Sequence, residues 1–130
     1  MNIYESAEDY LEKMLMLREK KGYIKSIDIA KELNVTKPSV SYAVKNLREN
    51  GYISMEKNGE IHLSPAGEEI ARKRYEKHKV LCSFFKSLGI SYETAYNDAC
   101  KIEHDLSDES FAAIKKYLED KTIEITDCLD

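Results

Sequence analysis

Residues 25–63 read KSIDIAKELNVTKPSVSYAVKNLRENGYISMEKNGEIHL, and this stretch decides the fold of the first half of the chain. Apolar residues at helical spacing predict one helix over 26–33 and a second over 37–50. Thr36 is suited to cap the second helix, and Pro38 lies in its first turn, where a missing N–H costs little. Only a few residues separate the two helices, which is typical of a helix–turn–helix.

A hairpin is predicted directly after the second helix. Two short alternating segments flank Asn58-Gly59, a dipeptide that strongly favours a tight turn between two strands. The order of helix, turn, helix and hairpin predicts a winged helix–turn–helix, with the hairpin as the wing.

Helical periodicity continues on both sides of this motif. It predicts one helix before the motif and three after it, over 4–21, 65–87, 92–105 and 107–119. At the start of the second of these ranges, 65–87, Ser64 and Glu68 are expected to form a capping box. The tail 121–130 has no clear period, and neither it nor Cys128 is given a role.

The charge balance changes inside the long helix over 65–87. Residues 1–74 have a net charge of +1, whereas residues 75–130 have a net charge of −5. We therefore place the boundary between two domains near residues 72–76. The sequence predicts a mainly α protein, with a winged helix–turn–helix domain in 1–74 followed by a helical domain in 75–130.

Composition narrows the possible location of the protein. No apolar run approaches the roughly 18 residues of a membrane span, and the first residues lack the pattern of a secretion signal. We expect a cytoplasmic protein with no membrane partner, and we expect its three cysteines to be reduced thiols. The net charge of −4 argues against indiscriminate binding to nucleic acids.

A winged helix–turn–helix reads DNA by placing its second helix in the major groove. Hydroxyl, lysine and aromatic side chains near the start of that helix are suited to phosphate and base contacts. The opposing interpretation is a merely solvated polar surface, which the hairpin placed directly after the helix makes less favourable. The predicted DNA contacts are Ser26, Lys37, Pro38, Ser39, Ser41, Tyr42, Lys45 and Lys57.

A second group of residues points to a transition metal. Cys100, Glu103 and His104 are spaced i, i+3, i+4, so a helix places them on one face. A thiolate, a carboxylate and an imidazole form an incomplete ligand set for a first-row metal. Cys100 is also compatible with a small core residue.

Further ligands must then come from other helices. Asp9 and Glu12 share a face of the first helix, and His78 lies on the long helix. Each has a simpler interpretation, because acids near a helix start favour the helix dipole and a histidine between two lysines is often a surface residue.

Several segments together resemble the diphtheria-toxin-repressor family of metal-dependent regulators, and especially its manganese-transport-regulator branch. The segments are EDYLEKMLML, TKPSVSYAVKNL, GYI, LSPAGEEIA, YEKHKVL and YNDACKIEHDLSDE. The resemblance implies a principal metal site of Asp9, Cys100, Glu103 and His104. It also implies an adjacent position to which Glu12 and His78 contribute. As in the short manganese branch, we expect no additional Src-homology-like domain.

The resemblance is mixed at the ligand positions. The manganese branch has Glu where this chain has Cys100, and the iron branch has Met where this chain has Asp9. Ancillary ligands of the iron branch are only partly retained, since Cys82 replaces a Glu and Tyr96 replaces a His. Manganese or iron is therefore expected in the cell, with zinc or cobalt as further possibilities.

These observations predict a metal-activated DNA-binding repressor that controls genes of metal-ion homeostasis. We expect it to bind double-stranded, palindromic operator DNA as a homodimer, because the helical half has more apolar surface than three helices bury among themselves. One alternative is a metal-independent winged-helix regulator with a structural polar cluster. The other is a metal-assisted hydrolase, which the lack of a Gly-rich phosphate loop or a Ser/His/Asp arrangement disfavours. We expect neither enzyme activity nor a small-molecule substrate.

Overall fold

The computed structural model describes residues 3–126, with side chains from Ala7 onward. Over this range the chain forms six helices and one two-stranded sheet, which confirms the predicted mainly α fold and the wing. The elements are α1 (Ile3–Lys21), α2 (Ser26–Leu33), α3 (Lys37–Glu49), β1 (Ile53–Met55), β2 (Ile61–Leu63), α4 (Pro65–Ser87), α5 (Tyr92–Ile102) and α6 (Asp108–Asp120). Cys128 lies outside the described residues.

The chain divides into two compact units between Tyr75 and Glu76, inside α4. The first unit holds α1, α2, α3, the hairpin and the first half of α4. The second holds the rest of α4 with α5 and α6. No helix among the described residues is long and apolar enough to span a membrane.

The helix–turn–helix forms as its sequence dictates, except at the start of α2. Thr36 caps α3 by accepting a hydrogen bond from the backbone N–H of Ser39 at 3.3 Å. Asn34, in the left-handed region at φ 54°, ends α2. Lys25 precedes α2, and its side chain makes no capping bond. Ser26 is therefore the first helical residue.

The wing is a short antiparallel hairpin, in which Ile53 pairs with Leu63 and Met55 with Ile61. Its loop has three residues, because the N–H of Glu56 bonds the carbonyl of Glu60 at 2.9 Å. Gly59 closes the loop at φ +88°, a conformation that favours glycine. The Asn58-Gly59 signal therefore predicted the hairpin correctly.

The core of the first unit is built on α1. Seven consecutive side chains from Leu11 to Leu17 are buried, and they include two charged residues, Glu12 and Lys13. Buried apolar side chains from the other elements of the unit complete this core; they include Ile24, Ile29, Val40, Val44, Leu47, Ile53, Ile61 and Ala71. Burial of these side chains is the main stabilising contribution to the unit.

The start of α4 corrects one prediction. Ser64 caps the helix by accepting from the N–H of Gly67 at 3.1 Å, but Glu68 lies one position too late for a capping box. Instead, Glu68 accepts hydrogen bonds from Arg18 of α1 at 2.6 Å and from Arg72 of α4 at 2.8 Å. These contacts connect α4 to α1.

The second unit packs α5 and α6 against the second half of α4. Its buried centre is Leu81, Cys82, Ala95 and Ala99, surrounded by partly buried apolar side chains. Ser91 and Ser107 cap α5 and α6 by accepting from backbone N–H groups three residues on. The helix predicted over 92–105 ends earlier, at Ile102, because the N–H groups of Asp105 and Leu106 both turn back to its carbonyl.

Candidate functional site

The predicted DNA-contacting residues of α3 form an exposed surface. Lys37, Pro38, Ser39, Ser41, Tyr42 and Lys45 are all exposed. Tyr42 is 67% exposed, which is unusual for an aromatic side chain and leaves its ring accessible to a partner. Lys57 is exposed in the hairpin loop, whereas Ser26 is half-buried at the start of α2.

The wing carries an acidic group that the sequence analysis missed. His62 Nε2 lies 3.3 Å from Glu56 Oε2 and 4.0 Å from Glu60 Oε2. Hydrogen bonding to His62, and then to Glu60, holds the pKa of Glu56 below its usual value. Alternation along the two strands places all three on one face, so the hairpin pattern could have revealed this group. The exposed Glu56 and the half-buried Glu60 lie on the same wing as Lys57.

In the second unit, the structure brings three predicted metal ligands together. His78 on α4 is buried, and its Nδ1 lies 3.5 Å from Glu103 Oε2 and 3.9 Å from Cys100 Sγ. Glu103 is also buried, at 2% exposure. It follows α5 directly with helical dihedrals, and its N–H donates to the carbonyl of Ala99. The face predicted for Cys100 and Glu103 therefore survives the early end of the helix.

These three residues offer donor types that suit a transition metal, and the two separations measured from His78 also suit one ion. Donors about 2.0–2.3 Å from one tetrahedral ion lie roughly 3.5 Å from each other. The observed separations of 3.5 and 3.9 Å around His78 Nδ1 are close to that value. A nitrogen, an oxygen and a sulfur donor together favour a first-row transition metal over Mg²⁺ or Ca²⁺.

The other ring nitrogen of His78 faces a different sulfur. Its Nε2 lies 3.5 Å from Cys82 Sγ, and the ring makes an edge contact with Tyr96 at 5.0 Å between centroids. Cys82 is disulfide-bonded, so the expectation that every cysteine is a reduced thiol is wrong, whereas Cys100 is not part of a disulfide.

The remaining predicted ligands lie at the start of α1 and after α5. Asp9 and Glu12 are one turn apart on α1, with Asp9 half-buried and Glu12 buried. Asp9 accepts a hydrogen bond from Arg74 Nη2 at 2.7 Å, a contact that the sequence analysis did not predict. His104 is half-buried in the turn that follows α5.

Two family models match almost the whole chain. Residues 2–61 match the iron dependent repressor N-terminal DNA binding domain, and residues 64–124 match the metal binding and dimerisation domain of the same family. The chain belongs to the iron-dependent repressor family. It is therefore a metal-dependent, DNA-binding transcription regulator that dimerises, and it is not an enzyme.

Individual relatives agree with this membership. An HTH-type transcriptional regulator of Methanocaldococcus jannaschii is 38% identical over 117 residues, which cover 88% of this chain and 94% of the relative. The HTH-type transcriptional regulator MntR of Bacillus subtilis is 38% identical over 102 residues, which cover 78% of this chain and 72% of MntR. The predicted resemblance to the family is confirmed.

Solved structures support the same fold. The IdeR crystal structure from T. acidophilum aligns with a TM-score of 0.77 and 27% identity over 91% of this chain. The manganese regulator SloR aligns with a TM-score of 0.74 and 28% identity over 87% of this chain. The matches cover 55% and 53% of those chains, so this chain spans about half their length.

Proposed function

We propose that the protein is a metal-activated repressor of metal-homeostasis genes, and that its ligands come from three helices and one turn. Asp9, Cys100, Glu103 and His104 form the principal site, and Glu12 and His78 contribute to an adjacent position. The metal in the cell is manganese or iron, and zinc or cobalt can also bind.

The single observation that carries the metal site is the grouping of two buried residues, His78 and Glu103, with the half-buried Cys100. Burying a histidine and a glutamate is costly unless each is compensated, and a shared cation is one efficient compensation. His78 is fully buried, and the donor atoms of Glu103 and Cys100 face the same ring nitrogen. A solvated surface group would show neither property.

The bound ion supplies positive charge that carboxylates of α1 and donors of the second unit can share. In this proposal Asp9 and Glu12 bind the metal from α1 of the DNA-binding unit. Ligands from the dimerising unit, Cys100, Glu103 and His104, bind it from the other side of the chain division. Few arrangements of the two recognition helices in a dimer match both half-sites of an operator. Fixing the units in one arrangement therefore favours DNA binding.

The DNA surface comprises the exposed start of α3 and the wing loop. Lys37, Ser39, Ser41 and Tyr42 face the major groove, and Lys45 and Lys57 contact phosphates. A dimer presents two such helices, so we infer a palindromic operator. Binding to chromosomal operators places the protein in the cytoplasm.

Replacement of His104 by alanine tests the metal site. A duplex selected by the wild-type protein from a random pool in the presence of Mn(II) serves as the operator. We expect His104→Ala to remain dimeric and to lose the increase in DNA affinity that Mn(II), Fe(II), Co(II) or Zn(II) causes, as measured by fluorescence anisotropy.

The matched control is His62→Ala, which removes the exposed histidine of the wing. It is expected to shift DNA affinity equally with and without metal, and so to leave the stimulation factor unchanged. Undiminished stimulation of a dimeric His104→Ala variant would contradict the proposed ligand set.

A further inference from the structure

Arg74 connects α4 to the start of α1 through two carboxylates. Its Nη1 donates to Glu8 Oε2 at 2.8 Å, and its Nη2 donates to Asp9 Oδ1 at 2.7 Å. The Arg74 side chain is only 10% exposed, whereas those of Glu8 and Asp9 are 41% and 26% exposed. These are short, charge-assisted contacts of a largely buried guanidinium, so they are stronger than ordinary surface ion pairs.

The negative charge of the Asp9 carboxylate therefore has two cationic partners, the observed Arg74 and the proposed metal. Asp9 is the ligand that α1 gives to the principal metal site in the proposed function, on which this inference rests. A guanidinium in hydrogen-bonding contact with Asp9 withdraws charge from the carboxylate and repels any divalent cation bound to it. We propose that Arg74 is an internal cation that competes with the metal for Asp9 and thereby lowers the metal affinity of the protein.

The opposite effect would follow if Arg74 mainly oriented Asp9. Arg74 contacts Oδ1, so Oδ2 could still face the metal while the hydrogen bond fixed the carboxylate. Outer-shell partners that strengthen a metal ligand do so by raising its basicity, as a carboxylate does for a bound histidine. A cation lowers that basicity, so orientation and charge oppose each other at Asp9. Charge dominates here because the Arg74 guanidinium is largely buried, so little water is present to screen the repulsion.

Competition by Arg74 raises the metal concentration that is needed for binding, and it does not favour one divalent metal over another. The repulsion depends on the charge of the incoming ion, which is the same for Mn(II), Co(II) and Zn(II). Selection between them depends on donor softness, which Cys100 provides. Removing Arg74 should therefore raise the affinity for each divalent ion by a similar factor.

Calorimetric titration of the full chain with Mn(II) and with Co(II) tests the proposal. Arg74→Met and Arg74→Gln remove the charge, and Gln also keeps a hydrogen-bond donor. We expect both variants to bind each metal about tenfold more tightly than the wild type, since the ion no longer displaces a charge-assisted hydrogen bond. The ratio of the Mn(II) and Co(II) dissociation constants should stay unchanged.

The matched control is Arg72→Met, on the same helix. Arg72 pairs with Glu68 at 2.8 Å, so its removal deletes the same charge and an arginine–carboxylate contact away from Asp9. We expect its metal affinity to stay within about twofold of the wild type. Thermal unfolding of the metal-free variants establishes which of them are folded, and the Gln variant serves where the Met variant is not.

Asp9→Asn separates this inference from the proposed function. If Asp9→Asn binds metal as tightly as the wild type, Asp9 is not a ligand and the proposed ligand set fails. If Asp9→Asn loses affinity while both Arg74 variants bind metal equally or more weakly than the wild type, the ligand set stands and the competition is refuted. An equal rise in Arg72→Met would also refute it, because general charge would then explain the effect.

Discussion

Cys100 supplies the one sulfur donor of the proposed metal site, whose other ligands offer oxygen or nitrogen. Its sulfur lies 3.9 Å from His78 Nδ1, and it is the cysteine of the described residues that is not part of a disulfide. A thiolate favours softer ions such as Co(II) and Zn(II), whereas a carboxylate suits Mn(II). One side chain therefore determines much of the balance between metals.

Cys100→Glu should shift that balance toward manganese. We expect the ratio of the Zn(II) to Mn(II) affinities to fall by about tenfold or more, because the soft donor is lost and a hard donor takes its place. Competition with a fluorescent chelator measures both affinities. The near-ultraviolet absorption of a thiolate–Co(II) complex should also disappear. An unchanged affinity ratio, or retained absorption, would show that Cys100 is not a ligand.

At the scale of elements, Glu68 connects α1 and α4 within the first unit. Hydrogen bonds from Arg18, and then from Arg72, hold the pKa of Glu68 below its usual value of 4.5. A carboxyl whose pKa is lowered on folding stabilises the folded state above its unfolded-state pKa, and this contribution is lost as pH falls through the folded-state pKa. The stabilisation that Glu68 contributes is therefore lost in acid and does not change with pH near neutrality.

Glu68→Gln should consequently destabilise the protein at pH 7, and the difference from the wild type should shrink as the pH falls below about 4.5. Urea unfolding at a series of pH values measures this. Glu69→Gln is the control, because Glu69 is 70% exposed and forms a surface ion pair with Lys73 at 3.6 Å within the same helix. Equal pH dependence in the two variants would contradict a special role for Glu68.

The elements themselves were largely predictable from local signals. Ser64-Pro65 marked the start of α4 and Thr36 that of α3, because caps act within one turn of helix. The contacts between elements were not predictable in this way. Arg74 and Asp9 are 65 residues apart, and no local pattern pairs them. Glu68 was misassigned for the same reason, since its strongest partner, Arg18, lies 50 residues away.

The metal ligands were only partly predictable from the sequence. Spacing alone placed Cys100 and Glu103 on one face, and the structure brings both to His78. Spacing could not show that His78 is fully buried, because its neighbours Lys77 and Lys79 suggest a surface position. Burial depends on the packing of α5 and α6 against α4, which is a property of the whole second unit.

At the scale of the whole molecule, the proposed function makes metal and DNA binding thermodynamically linked. If metal favours the arrangement that binds the operator, bound operator must raise the metal affinity by the same factor. Coupling of this kind is typically about 1–3 kcal/mol, or roughly 5- to 150-fold in affinity. The net charge of −4 does not supply it, because general charge would act on any DNA sequence.

Two independent measurements should therefore give one number. Anisotropy titrations with and without saturating Mn(II) give the factor by which metal tightens operator binding. Calorimetric Mn(II) titrations of the free protein and of the operator complex give the factor by which operator tightens metal binding. We expect these factors to agree, and we expect a scrambled duplex of the same length to give a much smaller factor. An equal effect of metal on the scrambled duplex would mean that metal acts through charge neutralisation and not through a selected arrangement of the two recognition helices. Unequal factors would show that the two titrations do not follow the same binding equilibrium, because reciprocity holds for any mechanism of coupling.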